Sequence, residues 1–365
     1  MQSTWENQVE INLSESGVHP LTLGELLTAD DDRERLLGVG LGYPQTNGTL
    51  PLRAAIASMY PGATPDHVHV TNGGSEANFC STWSLLEPSD EVVMMAPNYM
   101  QTWGLARAFA GSVRRWPLAE IGGRWRPDMD ALRSLLTPRT KLLLVCNPNN
   151  PTGACFDGPT LDGICREAAR HGTWVISDEI YRGAELAGQE TPSIWGRYER
   201  AIVTSGLSKA YGLPGLRIGW VVGPPPFVAN TWAYHDYTSI APGAINDRLA
   251  ALALSPATRA RILHRTRTIL NANFVALTSW LAARADLFSF VSPEAGAIVY
   301  ARYNRPINST ELTTRLRVEK SVLMVPGDHF GMDGFLRIGF GGPAHELFEG
   351  LSRLESLLRS LSPGS

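Results

Sequence analysis

Lysine is nearly missing from this chain: Lys141, Lys209 and Lys320 stand against 29 arginines. Charge as a whole is thin, at 18% of 365 residues, and sums to −3. No basic stripe runs through the sequence, which argues against nucleic acid as a partner. No run of 18 apolar residues is present to span a bilayer, and the polar, acidic Met1–Val18 segment does not read as a signal peptide. The expectation is a cytoplasmic protein with no membrane partner. The four cysteines (Cys80, Cys146, Cys155, Cys165) lack CxxC or metal spacing and read as reduced thiols. Histidines are scattered. His67 and His69 share one face of a predicted strand, nothing completes a metal site with them, and both are expected at the surface.

What is there is a large apolar content, 44%, enough for a sizeable core. Short apolar segments at Glu91–Met95, Lys141–Cys146, Thr173–Ser177 and Ala201–Val203 alternate with helical patterns near 101–110, 128–136 and 160–171. HVHVT (His67–Thr71) adds a strand and Ser75–Leu86 a helix. The helix from Thr49 is expected to bury Leu50, Ala54, Ile56 and Ala57. Alternation of this kind predicts an α/β fold, with a mostly parallel sheet covered by helices on both faces. After Trp220 the pattern becomes α+β: a long helix near 257–283, strands near 288–292, 297–302, 320–325 and 335–339, and helices near 310–318 and 345–361. The expected division is an N-terminal arm with one short helix (1–37), a large domain (38–256) and a small domain (257–365) that packs with the arm.

The scarce lysine matters most at Thr204–Trp220, TSGLSKAYGLPGLRIGW, where Lys209 sits in a Gly/Pro-punctuated turn between two apolar segments. An amine near cations condenses readily with an aldehyde. Ser208 and Arg217 could supply charge-assisted hydrogen bonds to a phosphate. The SxxSKxxGxxGxRxG pattern resembles the lysine signature of fold-type I pyridoxal-phosphate enzymes, the class I/II aminotransferase family. One departure is Gly206, three residues before the lysine, where many members carry serine; Ser205 is the neighbour that could substitute.

Six further motifs resemble the family's over residues 38–340. Gly73-Gly74-Ser75-Glu76-Ala77 lies where a strand gives way to a helix, and helix N-termini favour anions. It fails as a hydrolase elbow because GxSxG needs glycine at Ala77. The resemblance makes Gly74 and Ser75 phosphate donors and stacks Tyr99, of PNY, on the cofactor ring. NPNNPTG (Asn147–Gly153) implies Asn150 at the cofactor's phenolic oxygen. SDEIY implies that Asp178 pairs with the pyridine nitrogen and that Tyr181 joins Asn150 at the phenolic oxygen. Gly38–Gly42 does not form GxGxxG after a strand, but the adjacent Gly42-Tyr43-Pro44 implies that Tyr43 reaches a partner subunit's phosphate in a homodimer. RIGF (Arg337–Phe340) implies that Arg337 grips the substrate carboxylate.

The resemblance therefore implies pyridoxal 5'-phosphate as cofactor, an amino acid as substrate, possible use of a 2-oxo acid, and transamination as the leading reaction. An alternative comes from Ser14–His19 and Leu23-Gly24-Glu25-Leu26. This stretch resembles the capreomycidine synthases, which eliminate and reclose a hydroxylated arginine, and it places Glu15 and Gly17 on the substrate side. A non-catalytic cofactor-binding sensor is the remaining alternative, disfavoured because an arm starting at Met1 leaves no room for a DNA-binding domain. Family members acting on aspartate carry an arginine on the loop matching Ala233–Ile240, and this chain has none there. Dicarboxylates are expected to be poor substrates, with Glu15 and Asp236 available to a polar or cationic side chain.

Overall fold

The computed structural model describes residues 2–361. Met1 and residues 362–365, the outer ends of the expected arm and small domain, lie outside the described residues. The arm holds three short helices where one was expected: α1 (Gln2–Trp5), α2 (Leu23–Leu26) and α3 (Asp30–Leu37), with the two-residue β1 (Ile11–Asn12) between the first two. Thr22 and Glu25 close a reciprocal capping box that starts α2. Asp30, Asp31 and Asp32 fill the first turn of α3, where negative charge suits the helix dipole. On α4 (Leu50–Ala57) the buried face is Leu52, Ile56 and Ala57; Leu50 and Ala54 point to solvent, contrary to expectation.

Eight strands form the main sheet: β2 (Val68–Thr71), β3 (Glu91–Ala96), β4 (Ser112–Ile121), β5 (Arg124–Pro127), β6 (Thr140–Cys146), β7 (Trp174–Asp178), β8 (Ala201–Gly206) and β9 (Gly219–Val222). Their order is β2-β9-β8-β7-β6-β3-β4-β5. The run from β8 to β4 is parallel, while β9 is antiparallel to both neighbours and β5 to β4. Helices α5 (Gly74–Leu85), α6 (Met100–Phe109), α7 (Met129–Leu135) and α8 (Gly158–Ala169) connect the strands; α9 (Pro225–His235) and α10 (Ala244–Ala253) follow β9. Side chains alternate across a strand, so Val92 and Met94 of β3 enter one core while Val93 and Met95 enter the other. Cores on both faces are why these strands read as unbroken apolar runs.

The sequence reading missed β4 and β5 because they form the sheet edge. In SVRRWPLAEI only Trp116 and Leu118 are buried, and two arginines interrupt the apolar pattern. Gly122 and Gly123 turn β4 into β5 with φ of 60° and 71°, a two-residue hairpin needing positive φ at both positions.

After α11 (Pro256–Ala282) come β10 (Phe288–Phe290), β11 (Ile298–Tyr303), α12 (Ser309–Lys320), β12 (Val322–Leu323), β13 (Val325–Pro326), β14 (Phe335–Gly339) and α13 (Ala344–Ser360). An antiparallel sheet runs β10-β11-β14-β13, and β12 pairs in parallel with β1 of the arm. Gly339 and Gly341 let the arm lie directly on this sheet. A Cβ on either would collide with the backbone carbonyl of Glu15 or Gly17. No helix among the described residues is long and apolar enough to cross a membrane.

Candidate active site

The ends of parallel strands β6, β7 and β8 meet the N-terminus of α5 and the arm around a cavity of about 110 Å³. Clefts outside the carboxyl ends of such strands are the usual ligand sites of open α/β sheets. Lys209 lies just beyond β8, and its Nζ donates to Glu15 Oε1 at 2.5 Å. Glu15 arrives on the arm, held there by the glycine contacts with β14. Burial alone would raise its pKa, but the Lys209 charge and the Ser16 and Gly17 N–H groups pull it below the ordinary glutamate value. Gly17 packs on the Lys209 backbone and stem: a Cβ there would stand 3.2 Å from the Ser208 carbonyl and 3.3 Å from Lys209 Cδ.

Gly73, at φ 92°, opens α5. Its missing Cβ leaves room for the Arg217 guanidinium, which a side chain at 73 would strike. Arg217 is itself left-handed, at φ 47°, and exposed. Free N–H groups at the start of a twelve-residue helix thus lie beside the cavity at Gly74 and Ser75, with the Arg217 guanidinium packed against Gly73. Ser208 also lines the cavity. Ser205 does not take the place of the serine missing at 206. Its hydroxyl donates to the Glu179 carbonyl at 3.2 Å, away from the cavity. Gly206 has a physical reason, since a Cβ would stand 2.8 Å from the Ile218 carbonyl oxygen.

Asp178 ends β7 and is buried. Burial raises its pKa above the ordinary aspartate value, against hydrogen bonds from Asn78 Nδ2 (3.0 Å) and the Ile180 N–H (3.1 Å) and the pull of Lys209. Tyr181 is buried, donates to Ser16 Oγ at 2.8 Å, and has its pKa raised by desolvation. Asn150 accepts from Arg337 Nη1 at 3.0 Å, while Arg337 Nη2 donates to the Ser14 carbonyl. Arg337 is 5% exposed, has no carboxylate within ion-pair distance among the described residues, and its Nε lacks an acceptor there. Burial lowers its pKa. An unpaired buried guanidinium is costly and suits a ligand carboxylate. Tyr99 caps α6 at the mouth, 36% exposed.

Every expected cofactor and substrate residue but four lines this cavity. Arg217 borders it behind Gly73, Glu15 and Gly17 form the arm wall between it and a neighbouring cleft, and Tyr43 stands outside, 81% exposed. Asp236 is also exposed and does not line the cavity, contrary to the suggestion that it receives a side chain there. His69 is wholly buried against His235, not at the surface, and His67 is half-buried against Trp195. The sequence reading passed over Gln2, Ser16, Asn78 and Cys146, all in the wall. Asn78 carried a usable signal, standing one helical turn after Gly74 and so on the same face. Gln2 carried none.

A lysine amine, an anion cradle, a buried carboxylate and paired phenol and amide groups fit the donor set that pyridoxal 5'-phosphate requires. The family described as aminotransferase class I and II matches residues 11–354. Capreomycidine synthase of Streptomyces vinaceus is 34% identical over 98% of this chain and 92% of its own. Aspartate aminotransferase of Streptomyces avermitilis is 30% identical over 87% of this chain and 81% of its own. The crystal structure of a PLP-dependent aminotransferase from Streptococcus suis, 32% identical, superposes with a TM-score of 0.92 over 100% of this chain and 97% of that one. The chain belongs to the aminotransferase class I and II family, and is an enzyme whose cofactor is pyridoxal 5'-phosphate.

Proposed function

We propose that the protein transaminates an amino acid whose side chain is cationic or neutral and polar. The observation that carries this reading is the Glu15 carboxylate held 2.5 Å from Lys209 Nζ, with the Gln2 amide 3.3 Å from its other oxygen. An acidic group beside the reacting amine attracts a cationic substrate and repels a second carboxylate. Lys209 would hold the cofactor through its amine and carry the proton to and from the substrate carbon. Gly74, Ser75, Ser208 and Arg217 hold the phosphate. Asp178 would pair with the ring nitrogen, Asn150 and Tyr181 would hold the phenolic oxygen, and Tyr99 would cover the ring. Arg337 orients the substrate carboxylate, with Glu15 and Gly17 bounding the rest of the substrate. The bound cofactor supplies the electron sink that lets a bond at the α-carbon break.

A second reading is elimination and ring closure rather than amino transfer, favoured by the 34% identity to capreomycidine synthase over almost the whole chain. Incubation with pooled amino acids separates the two: transamination requires a 2-oxo acid and returns a new one, whereas elimination proceeds without an acceptor. For either, arginine or neutral amino acids should perturb the visible spectrum of the loaded enzyme at lower concentration than aspartate. Tight, saturable binding of aspartate with none by the others would overturn the substrate assignment.

Tyr43, exposed on one chain, serves the phosphate of a second copy in this reading. Mixing Tyr43→Phe protomers with Lys209→Ala protomers should then recover activity through hybrids with one intact site. No recovery on subunit exchange, or a fully active monomer, counts against the shared site.

A further inference from the structure

Asp178 of β7 lies in register with Thr204 of β8. Asn78, in the second turn of α5, bridges the two: its Nδ2 donates to Asp178 Oδ2 at 3.0 Å, and its Oδ1 accepts from Thr204 Oγ1 at 2.6 Å. All three side chains are buried. Thr204 forms no part of the cavity wall, so it reaches the site through Asn78. An amide can present its oxygen or its nitrogen to a neighbour. The acceptor-only Asp178 carboxylate takes the Asn78 NH₂, which leaves Oδ1 facing Thr204, whose hydroxyl turns to donate to it and so holds the amide in that orientation. Without that hydroxyl the buried Asn78 oxygen has no donor, and the bond that holds its NH₂ on the carboxylate is weakened.

We propose that Thr204 and Asn78 are positioning residues for Asp178, a buried relay that fixes the direction of its carboxylate and favours the charged form. The proposal rests on the reading of Asp178 as partner of the cofactor's ring nitrogen. A carboxylate with two fixed donors holds its charge and leaves a shared proton on the nitrogen. With one donor lost, the carboxyl becomes more basic and draws that proton back, so the ring withdraws electrons less. Lys209 lowers the proton affinity of Asp178, while Cys146, Tyr99 and Glu179 are the other titratable groups in its field. None of them moves when Thr204 is changed to a residue of the same shape.

The test is Thr204→Val with Thr204→Ser as the conservative rescue. In the cofactor-free protein, ¹³C NMR of labelled aspartate, with Asp178→Asn assigning the line, should show Asp178 titrating about one pH unit higher in Thr204→Val. In Thr204→Ser it should titrate as in the wild type. In the loaded protein, the pH midpoint of the visible band should rise in the valine variant alone. An unmoved Asp178 titration in a folded valine variant overturns the relay. If Asp178 moves in the cofactor-free protein while the visible band does not, the relay stands and the pairing of Asp178 with the ring nitrogen is overturned. Should Thr204→Val fail to fold, Asn78→Ala removes the donor directly and must raise the same midpoint; no rise there overturns the relay.

Discussion

Lys209→Ala should lose turnover by on the order of 10⁴-fold or more, equivalent to about 5 kcal/mol of barrier. Neither other lysine can replace it: Lys141 lies at the start of β6 and Lys320 at the end of α12, far along the chain and outside the cavity wall. The variant should show no visible band from a cofactor–lysine bond, and borohydride should no longer link cofactor to protein. A second change accompanies this loss. The charge of Lys209 is the leading influence that lowers the Glu15 pKa against the effect of burial. With alanine there, Glu15 should titrate higher, although its half-exposed side chain keeps the effect on stability small. Normal turnover by the variant, or cofactor still trapped by borohydride, would remove Lys209 from its assigned place.

That assignment was legible because lysine is so scarce and because the Ser/Gly/Pro turn around Lys209 has few structural uses. The central strands were legible for a similar reason: two cores demand unbroken apolar runs at β3, β6, β7 and β8. Edges were harder. β4 carries Arg114, Arg115 and Pro117, and its apolar signal shrinks to Trp116 and Leu118. Burial of His69 was misjudged because alternation shows which residues share a face, whereas β2 (Val68–Thr71) is buried on both faces. His69 ends up against His235 of α9, a helix the sequence reading did not resolve.

The site shows the same division between local and tertiary information. Glu15 was named from a short stretch of the arm, yet its contact with Lys209 depends on Gly339 and Gly341, more than 300 residues away, letting the arm approach. The Asn78–Thr204 pair needed the β7–β8 register to become visible. Tyr43 marks the opposite limit: one chain leaves it exposed, and its proposed destination belongs to an assembly of two.

Asp178→Asn should separate stability from catalysis. In the cofactor-free protein the carboxylate is buried, and burial raises its pKa above the ordinary aspartate value despite the bonds from Asn78 and Ile180. An acid whose folded pKa is raised favours folding while protonated. That contribution is present below the unfolded pKa and is lost as pH rises through the folded one. At neutral pH the ionised carboxylate therefore costs stability, and a neutral amide of the same shape should leave the melting temperature unchanged or higher. Turnover should move the other way. An amide cannot hold a positive charge on the ring nitrogen, so every bond cleavage that leaves electrons on the substrate carbon should slow by about a hundredfold or more, about 2.7 kcal/mol. Melting curves of the cofactor-free protein beside single-turnover rates of the loaded one check both halves. A loss of only a few-fold in rate would remove Asp178 from the chemistry. A clear drop in melting temperature would mean that its buried charge is stabilised by more than the groups named here.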